Sequence, residues 1–266
     1  MLARETLWAS VFWHDAHMST QAFELLGTSD RPGRFLFTCE HASNALPDTV
    51  QPSEGDRRLL EEHWGWDIGA RDVTAQLVAT LGGEAVATTF SRLWVDPNRD
   101  SESEALILRE IDGQQICFNN DVDGNERARR LRDWFEPYHD AVRRIALARR
   151  AQPMPMEILS VHSFTPLYLG KARPMEIGVL FNDYDERAWH MEEALIAQGF
   201  EVALNAPYSG KPPDRLIYSA QRHGEFLQVP YLELEIRQDL IADAKSAKDV
   251  GIRIANGLLA YLELCR

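Results

Sequence analysis

Short apolar runs alternate with stretches of helical periodicity from about residue 35 to the end of the chain. Phe35-Leu36-Phe37-Thr38-Cys39 reads as a strand, as do 84–90, 158–161, 176–181 and 201–204. The last strand lies in Tyr231-Leu232-Glu233-Leu234-Glu235-Ile236-Arg237, where charged residues interrupt an apolar alternation. Between these runs, apolar positions recur at helical spacing over 56–63, 67–81, 125–150, 185–198 and 245–264. Gly65 separates the first two helices, Gly82-Gly83 stops the second, Gly199 closes the fourth, and Pro137 predicts a bend in the third. Residues 91–100 and 208–215 read as loops rich in polar residues, Gly and Pro. Strands alternating with helices predict an α/β protein with three layers, helix over sheet over helix, around a mixed, mostly parallel sheet.

No internal repeat, low-complexity tract or linker divides this pattern, so a single domain over residues 20–266 is expected. Residues 1–19 are polar-aromatic without clear periodicity; they are expected to be a weakly structured leader, with Met18 as an alternative start. Of the 266 residues, 45% are hydrophobic and 26% charged, the balance of an ordinary globular protein. The formal net charge of -13 disfavours nucleic acid as a partner. The one basic run, Arg127-Ala128-Arg129-Arg130-Leu131-Arg132, has acidic flanks and reads as a solvated helix face. Cys39, Cys117 and Cys265 have no CxxC spacing and are odd in number, which argues against a disulfide framework or a thiolate zinc cluster and for a reducing cytoplasm. No run reaches the ~18 apolar residues of a membrane span, and the start lacks the layout of a signal peptide. A soluble, cytoplasmic protein is expected.

Candidate chemistry sits at strand ends. Leu159-Ser160-Val161 runs into His162 and Ser163, and Phe35 to Cys39 runs into Glu40 and His41. Each histidine alone has an ordinary explanation as a hydrogen-bonded core residue. Two of them, both followed by small residues, suit a divalent metal such as Zn²⁺, which in catalytic sites usually takes three protein ligands. Two carboxylates could complete the set. Glu40 adjoins His41, but neighbouring strand residues point to opposite faces unless the backbone turns. Asp67, where the second helix begins, is the preferred third ligand and Glu40 the reserve, although Asp67 could simply cap that helix. Glu235 is the candidate general base, and by strand alternation it shares a face with Glu233 and Arg237; a salt bridge to Arg237 is the plain alternative. Arg92 and the turn Asp96-Pro97-Asn98-Arg99-Asp100 gather donors suited to an anionic substrate.

Six motifs, in order, resemble the N-formylglutamate amidohydrolase family: Cys39-Glu40-His41-Ala42-Ser43-Asn44, Trp66-Asp67-Ile68-Gly69-Ala70, Ser91-Arg92-Leu93 through Val95-Asp96-Pro97-Asn98-Arg99-Asp100, Val161-His162-Ser163-Phe164-Thr165-Pro166, Pro207-Tyr208-Ser209-Gly210 and Glu235-Ile236-Arg237-Gln238-Asp239-Leu240. That family in turn resembles the zinc carboxypeptidases, and the likeness implies a carboxypeptidase-like, phosphorylase/hydrolase-like fold. His41, Asn98-Arg99, His162 and Glu235-Ile236-Arg237 fall in the order of the carboxypeptidase plan of metal ligand, carboxylate clamp, metal ligand and general base. The chain departs from that plan at Asn44, where carboxypeptidases place a metal-binding Glu; with the intervening loop as an insertion, Asp67 takes that role.

The resemblance implies a Zn²⁺ enzyme, or one using another divalent metal, that hydrolyses the N-formyl or other N-acyl amide of a small anionic amino acid. His41, Asp67 and His162 would hold the metal and Glu235 would move the proton. Arg99 would grip the substrate carboxylate, with Asn98 and Arg92 assisting, Tyr208 on its loop closing over the site, and Arg237 counted among the substrate-binding residues. His223, beside Gly224, could line the pocket but reads more simply as a surface-turn histidine. The alternatives are a hydrolase of another N-acyl amino acid or small peptide, a carboxylate-binding relic without catalysis, and a metal-free protein with two core histidines.

Overall fold

A computed structural model describes residues 21–266; the expected leader and the alternative start at Met18 lie outside the described residues. The strands, in chain order, are β1 (Phe23–Gly27), β2 (Phe35–Cys39), β3 (Glu84–Thr88), β4 (Glu110–Ile111), β5 (Gln114–Gln115), β6 (Glu157–Phe164), β7 (Leu167–Tyr168), β8 (Lys171–Ala172), β9 (Ile177–Leu180), β10 (Val202–Leu204) and β11 (Tyr231–Arg237). The helices are α1 (Glu54–Glu61), α2 (Ala70–Leu81), α3 (Gly124–Arg130), α4 (Glu136–Arg150), α5 (Asp185–Ile196), α6 (Tyr218–Leu227) and α7 (Ala244–Leu264).

Seven strands form one sheet in the order β1-β3-β2-β6-β11-β9-β10, while β4-β5 and β7-β8 are separate small hairpins. The pairs β3-β2, β2-β6, β6-β11 and β9-β10 are parallel; β1-β3 and β9-β11 are antiparallel. The sheet is therefore mixed and mostly parallel, as the alternation of strands and helices predicts. Parallel central strands are covered on both faces, so they read as near-continuous apolar runs, and β2 is buried at all five positions. One face packs Phe35, Phe37, Leu159, Val161, Leu234 and Ile236 under α2, α5 and α7. The opposite face packs Leu36, Ile158 and Tyr231 under α4 and α6. Alternation along the strands then decides which way the polar residues face. Ser160 and His162 on β6, with Glu233 and Glu235 on β11, share the α4/α6 face, and in the parallel register Glu235 lies beside His162 and Glu233 beside Ser160. These positions approach the carboxyl ends of three adjacent parallel strands, where open α/β sheets place their ligand sites.

Some elements differ from expectation. The helix expected from residue 67 begins at Ala70, because Gly69 adopts a left-handed φ of 81° as the N-cap. A Cβ at Gly69 would come within 2.1 Å of the Ile241 carbonyl oxygen, so the position requires glycine. The helix expected over 125–150 is α3 and α4 joined by a π-helical turn, Leu131–Phe135, which ends just before Pro137. A proline ring clashes with the carbonyl four residues earlier, and a widened turn lies where that clash would fall. The edge strand β1 and helix α6 have no counterpart in the sequence reading. The arginine run is not a solvated face throughout: Arg130 is 1% exposed. Its guanidinium stacks 3.4 Å from the Trp94 ring centroid and donates to the Trp94 carbonyl and to Asn119 Oδ1. Arg130 thus pins the loop before the site to the long helix. No described helix is long and apolar enough to cross a membrane.

Candidate active site

The chain turns immediately after β2, at Glu40 and His41, and this turn decides how the two residues are used. Glu40 keeps the strand's orientation toward α4 and accepts hydrogen bonds from Tyr138 Oη (2.9 Å) and Ser160 Oγ (2.6 Å). His41 swings toward β6, where its Nδ1 lies 3.1 Å from His162 Nδ1. Asp67 Oδ2 joins them at 2.7 Å from His162 Nδ1 and 3.4 Å from His41 Nδ1. The Asp67 amide donates to the His41 carbonyl at 2.9 Å, which fixes the backbone, and Gly69 caps α2 without a side chain, so the carboxylate is not spent on the helix. A ligand atom from each of His41, Asp67 and His162 lies within 4.8 Å of the other two, and all three residues are buried.

The outward nitrogens of the two imidazoles are each held by a carboxylate. His41 Nε2 lies 2.7 Å from Asp96 Oδ1, and His162 Nε2 lies 3.0 Å from Glu40 Oε2. Such partners fix ring orientation and leave the other nitrogen free to coordinate, the arrangement typical of histidine-bound metals. Glu40, the reserve ligand, therefore occupies the far side of His162 rather than the convergence point, because the turn separates its direction from that of His41.

The electrostatics favour a positive charge here. Burial by itself would raise the Glu40 carboxyl, but His162 and Ser160 hold it below the usual range. Asp67 is likewise lowered against burial by His41 and His162, and Asp96 is held well below its ordinary value by Arg92, His41 and Arg99. Burial would lower the His162 imidazole, yet Glu233, Asp67 and Glu40 raise it well above its ordinary value. Ionised carboxylates around two imidazoles could hold a cation.

Glu235 is 6% exposed, and its Oε2 has no hydrogen-bond partner among the described residues. Burial pushes its carboxyl well up, against the pull of His162, with Asp67 and Glu233 adding to the rise. Glu233 received no role from the sequence, yet it lies 3.5 Å from His162 Nε2 and accepts from Asn98 Nδ2 at 3.4 Å. Burial pushes Glu233 up to about 7, opposed by His162 and helped by Glu40. The only sequence signal for it was the alternation that puts Glu233 on the face of Glu235.

These groups line a cavity of about 250 Å³ whose wall also includes Arg92, Asn98, Arg99 and Tyr208. Arg92 is committed to the acidic cluster, 3.0 Å from Asp96 and 3.6 Å from Asp67. Arg99 is less encumbered; it donates to the Asn98 carbonyl at 2.9 Å, and its Nε lies 4.0 Å from Asp96. His63, Trp64, Phe164 and Tyr168 complete an aromatic side of the cavity that the sequence reading missed. Arg237 is not in the wall: at the end of β11 its guanidinium turns to the Pro174 carbonyl (2.8 Å) and Asp239 (2.8 Å), where it ties down the chain before β9 instead of facing a substrate. His223 is not in a surface turn either; it is buried on α6, 2.9 Å from His139 Nδ1.

The sequence profile described as N-formylglutamate amidohydrolase matches residues 33–242. The chain belongs to the N-formylglutamate amidohydrolase family. It is accordingly a hydrolase of an amide bond. The matched span contains every cavity residue named above. Among solved structures, a gene product of Agrobacterium tumefaciens shares 30% identity at a TM-score of 0.81, over 92% of this chain and 96% of its own. An N-formylglutamate amidohydrolase from Ralstonia eutropha JMP134, 18% identical, superposes at a TM-score of 0.68 over 92% of this chain and 97% of its own, a likeness of fold. A search of curated proteins gives no match.

Proposed function

We propose that this family member is a zinc-dependent amidohydrolase that removes the N-formyl, or another N-acyl, group from an acidic amino acid such as N-formylglutamate. The observation that carries the metal is the convergence of His41 Nδ1, His162 Nδ1 and Asp67 Oδ2 at separations of 3.1, 2.7 and 3.4 Å. Ligands at Zn–N and Zn–O distances near 2.1 Å in a tetrahedron stand about 3.4 Å apart, so these residues fit the ion with small adjustments. Two imidazoles and one carboxylate are also a donor set that suits Zn²⁺. A divalent cation held there supplies Lewis acidity, polarising an amide carbonyl and acidifying water.

The remaining work falls to side chains. Glu235, whose Oε2 has no hydrogen-bond partner among the described residues and which lies beside His162 in the β6-β11 register, takes the proton of the attacking water and returns it to the departing nitrogen. The C–N bond breaks, and the products are a carboxylate, formate in the N-formyl case, and the free amino group. Arg99 binds the substrate carboxylate, with Asn98 shaping its position and Arg92 adding charge from behind Asp96. Tyr208, whose hydroxyl lies 3.3 Å from Arg173, closes the opposite side. The family assignment and the name of the Ralstonia protein that shares the fold support the N-formylglutamate reading.

The test is zinc content of the wild type beside His162→Ala, with formate release from N-formylglutamate measured before and after chelation. Near-stoichiometric zinc in the wild type, absent from the variant, with release abolished by chelator and restored by zinc, is the expected outcome. Glu235→Gln should keep its zinc and lose about 10²- to 10⁴-fold in kcat, the usual weight of general acid-base catalysis. Wild-type protein that binds no zinc would overturn the metal assignment; zinc binding without formate release would overturn the substrate.

A further inference from the structure

A second cavity, of about 820 Å³, adjoins the first, and Asn98, Arg99, Ala105 and Leu216 line both. Its floor is a stripe of α6, Tyr218, Gln221, Arg222 and Glu225, spaced as one helix face, with Phe226 at the edge. Asn98 connects the two chambers mechanically: it donates from Nδ2 to Glu233 in the first, and its Oδ1 accepts from the Ser219 amide in the first turn of α6. Arg99 stands at the boundary between them.

The two chambers differ in size and in charge. The first is just below the roughly 300–1,000 Å³ range of small-molecule sites and the second falls within it. In the second, Arg99, Arg215 and Arg222 are matched by Asp100, Asp214 and Glu225, so the lining carries no net formal charge. Such a lining does not select an anion by field alone. It offers paired donors and acceptors together with aromatic surface from Tyr218 and from Phe226, which is 62% exposed, the mixture that a peptide unit with a side chain engages.

We propose that the second cavity binds a residue joined by an amide bond to the substrate carboxyl group that faces Arg99, so that the enzyme accepts N-acylated peptides as well as N-acylated amino acids. This rests on the orientation given under the proposed function, with the acyl group at Glu235 and the carboxyl side at Arg99. A single amino acid ends at Arg99. In a longer substrate that carboxyl is an amide, and the chain passes Arg99 into the second cavity, where Arg222 receives the terminal carboxylate. Cleavage remains hydrolysis of the acyl amide at Glu235; the added residue contributes binding only.

The test separates binding from turnover. Affinities of the zinc-loaded Glu235→Gln protein, which binds without turning over, are measured for N-formylglutamate and for N-formylglutamyl-alanine linked through the α-carboxyl or the γ-carboxyl, in that background alone and with Gln221→Trp or Arg222→Ala added. Gln221→Trp fills the cavity and Arg222→Ala removes its cation, and neither residue lines the first chamber. At least one dipeptide should bind about tenfold or more tightly than N-formylglutamate, and both variants should erase that gain while leaving N-formylglutamate affinity unchanged. The linkage that gains identifies which carboxyl faces Arg99. Equal affinities for all three ligands, or a gain that survives both variants, would overturn the proposal. If the gain is present but the zinc-loaded wild type releases no formate, the catalytic reading falls and the binding site stands.

Discussion

Two buried histidine pairs lie among the described residues, and they have opposite electrostatic settings. His41 and His162 meet through Nδ1 atoms 3.1 Å apart; His139 Nδ1 and His223 Nε2 meet at 2.9 Å. All four residues are 3% exposed or less. Around the first pair, Asp67 faces the meeting point while Asp96 and Glu40 hold the outer nitrogens. The second pair has no carboxylate in its hydrogen bonds among the described residues, and the Arg222 charge acts on it. Burial pushes the His223 imidazole down to about 4, with Arg222 adding to the fall, and burial with the His223 and Arg222 charges lowers His139 well below its ordinary value. His162, equally buried, moves the other way because its carboxylates outweigh desolvation. Proximity of two imidazoles therefore does not make a cation site. The surrounding carboxylates do, because they compensate the desolvation of positive charge.

The sharpest way to break this comparison is to delete one member of each pair. His162→Ala should lose zinc and about 10³-fold in activity, the several kcal/mol of Lewis-acid stabilisation, whereas His223→Ala should retain both. Elemental analysis and formate release read the outcome, and zinc loss from His223→Ala would sink the distinction.

Next in size is an acid effect at the second pair, read as the difference between the wild type and a variant of that pair. Between about pH 6.5 and about 4 the unfolded chain binds protons that the folded His223 refuses. Its stabilising contribution is thus complete above about pH 6.5 and disappears as the pH falls toward about 4, by up to about 3 kcal/mol. Urea unfolding from pH 7.5 to 4 should show a steeper loss for the wild type than for His223→Gln. Parallel curves would count against a neutral buried pair.

Smaller changes should follow from the carboxylates behind the first pair. Glu40→Gln and Asp96→Asn leave the proposed ligands His41, Asp67 and His162 in place but weaken the orientation of the two imidazoles, and zinc affinity measured by chelator competition should fall about 10- to 100-fold. If both variants bind zinc as tightly as the wild type, the outer carboxylates have another role.

Much of this arrangement was legible along the chain because it is local. An apolar run that ends in His41, in His162, or that carries Glu235 marks the strand and the end of the strand together, and parallel pairing of β2, β6 and β11 then brings those ends side by side. Asp67 was legible as a helix-start residue. That its carboxylate is free depends on Gly69 taking the cap and on the amide bond to His41. Of the elements without a counterpart in that reading, β1 and α6 have weak signals, since β1 is a half-exposed edge strand and α6 follows a Gly/Pro loop, and the two-residue strands of the hairpins β4-β5 and β7-β8 are too short to show a period.

The alternation of elements, the α/β class and the residues presented at strand ends are written in the chain, since each follows from side-chain period and backbone preference within a few positions. The partners of those residues come from packing. Glu40 lies on the far side of His162, Glu233 faces Asn98, Arg130 stacks beneath Trp94, Arg237 turns away from the cavity, and His223 finds His139 across 84 residues. Charge state depends on burial and on neighbours brought together by sheet register and helix packing, and a linear pattern of residue types contains neither.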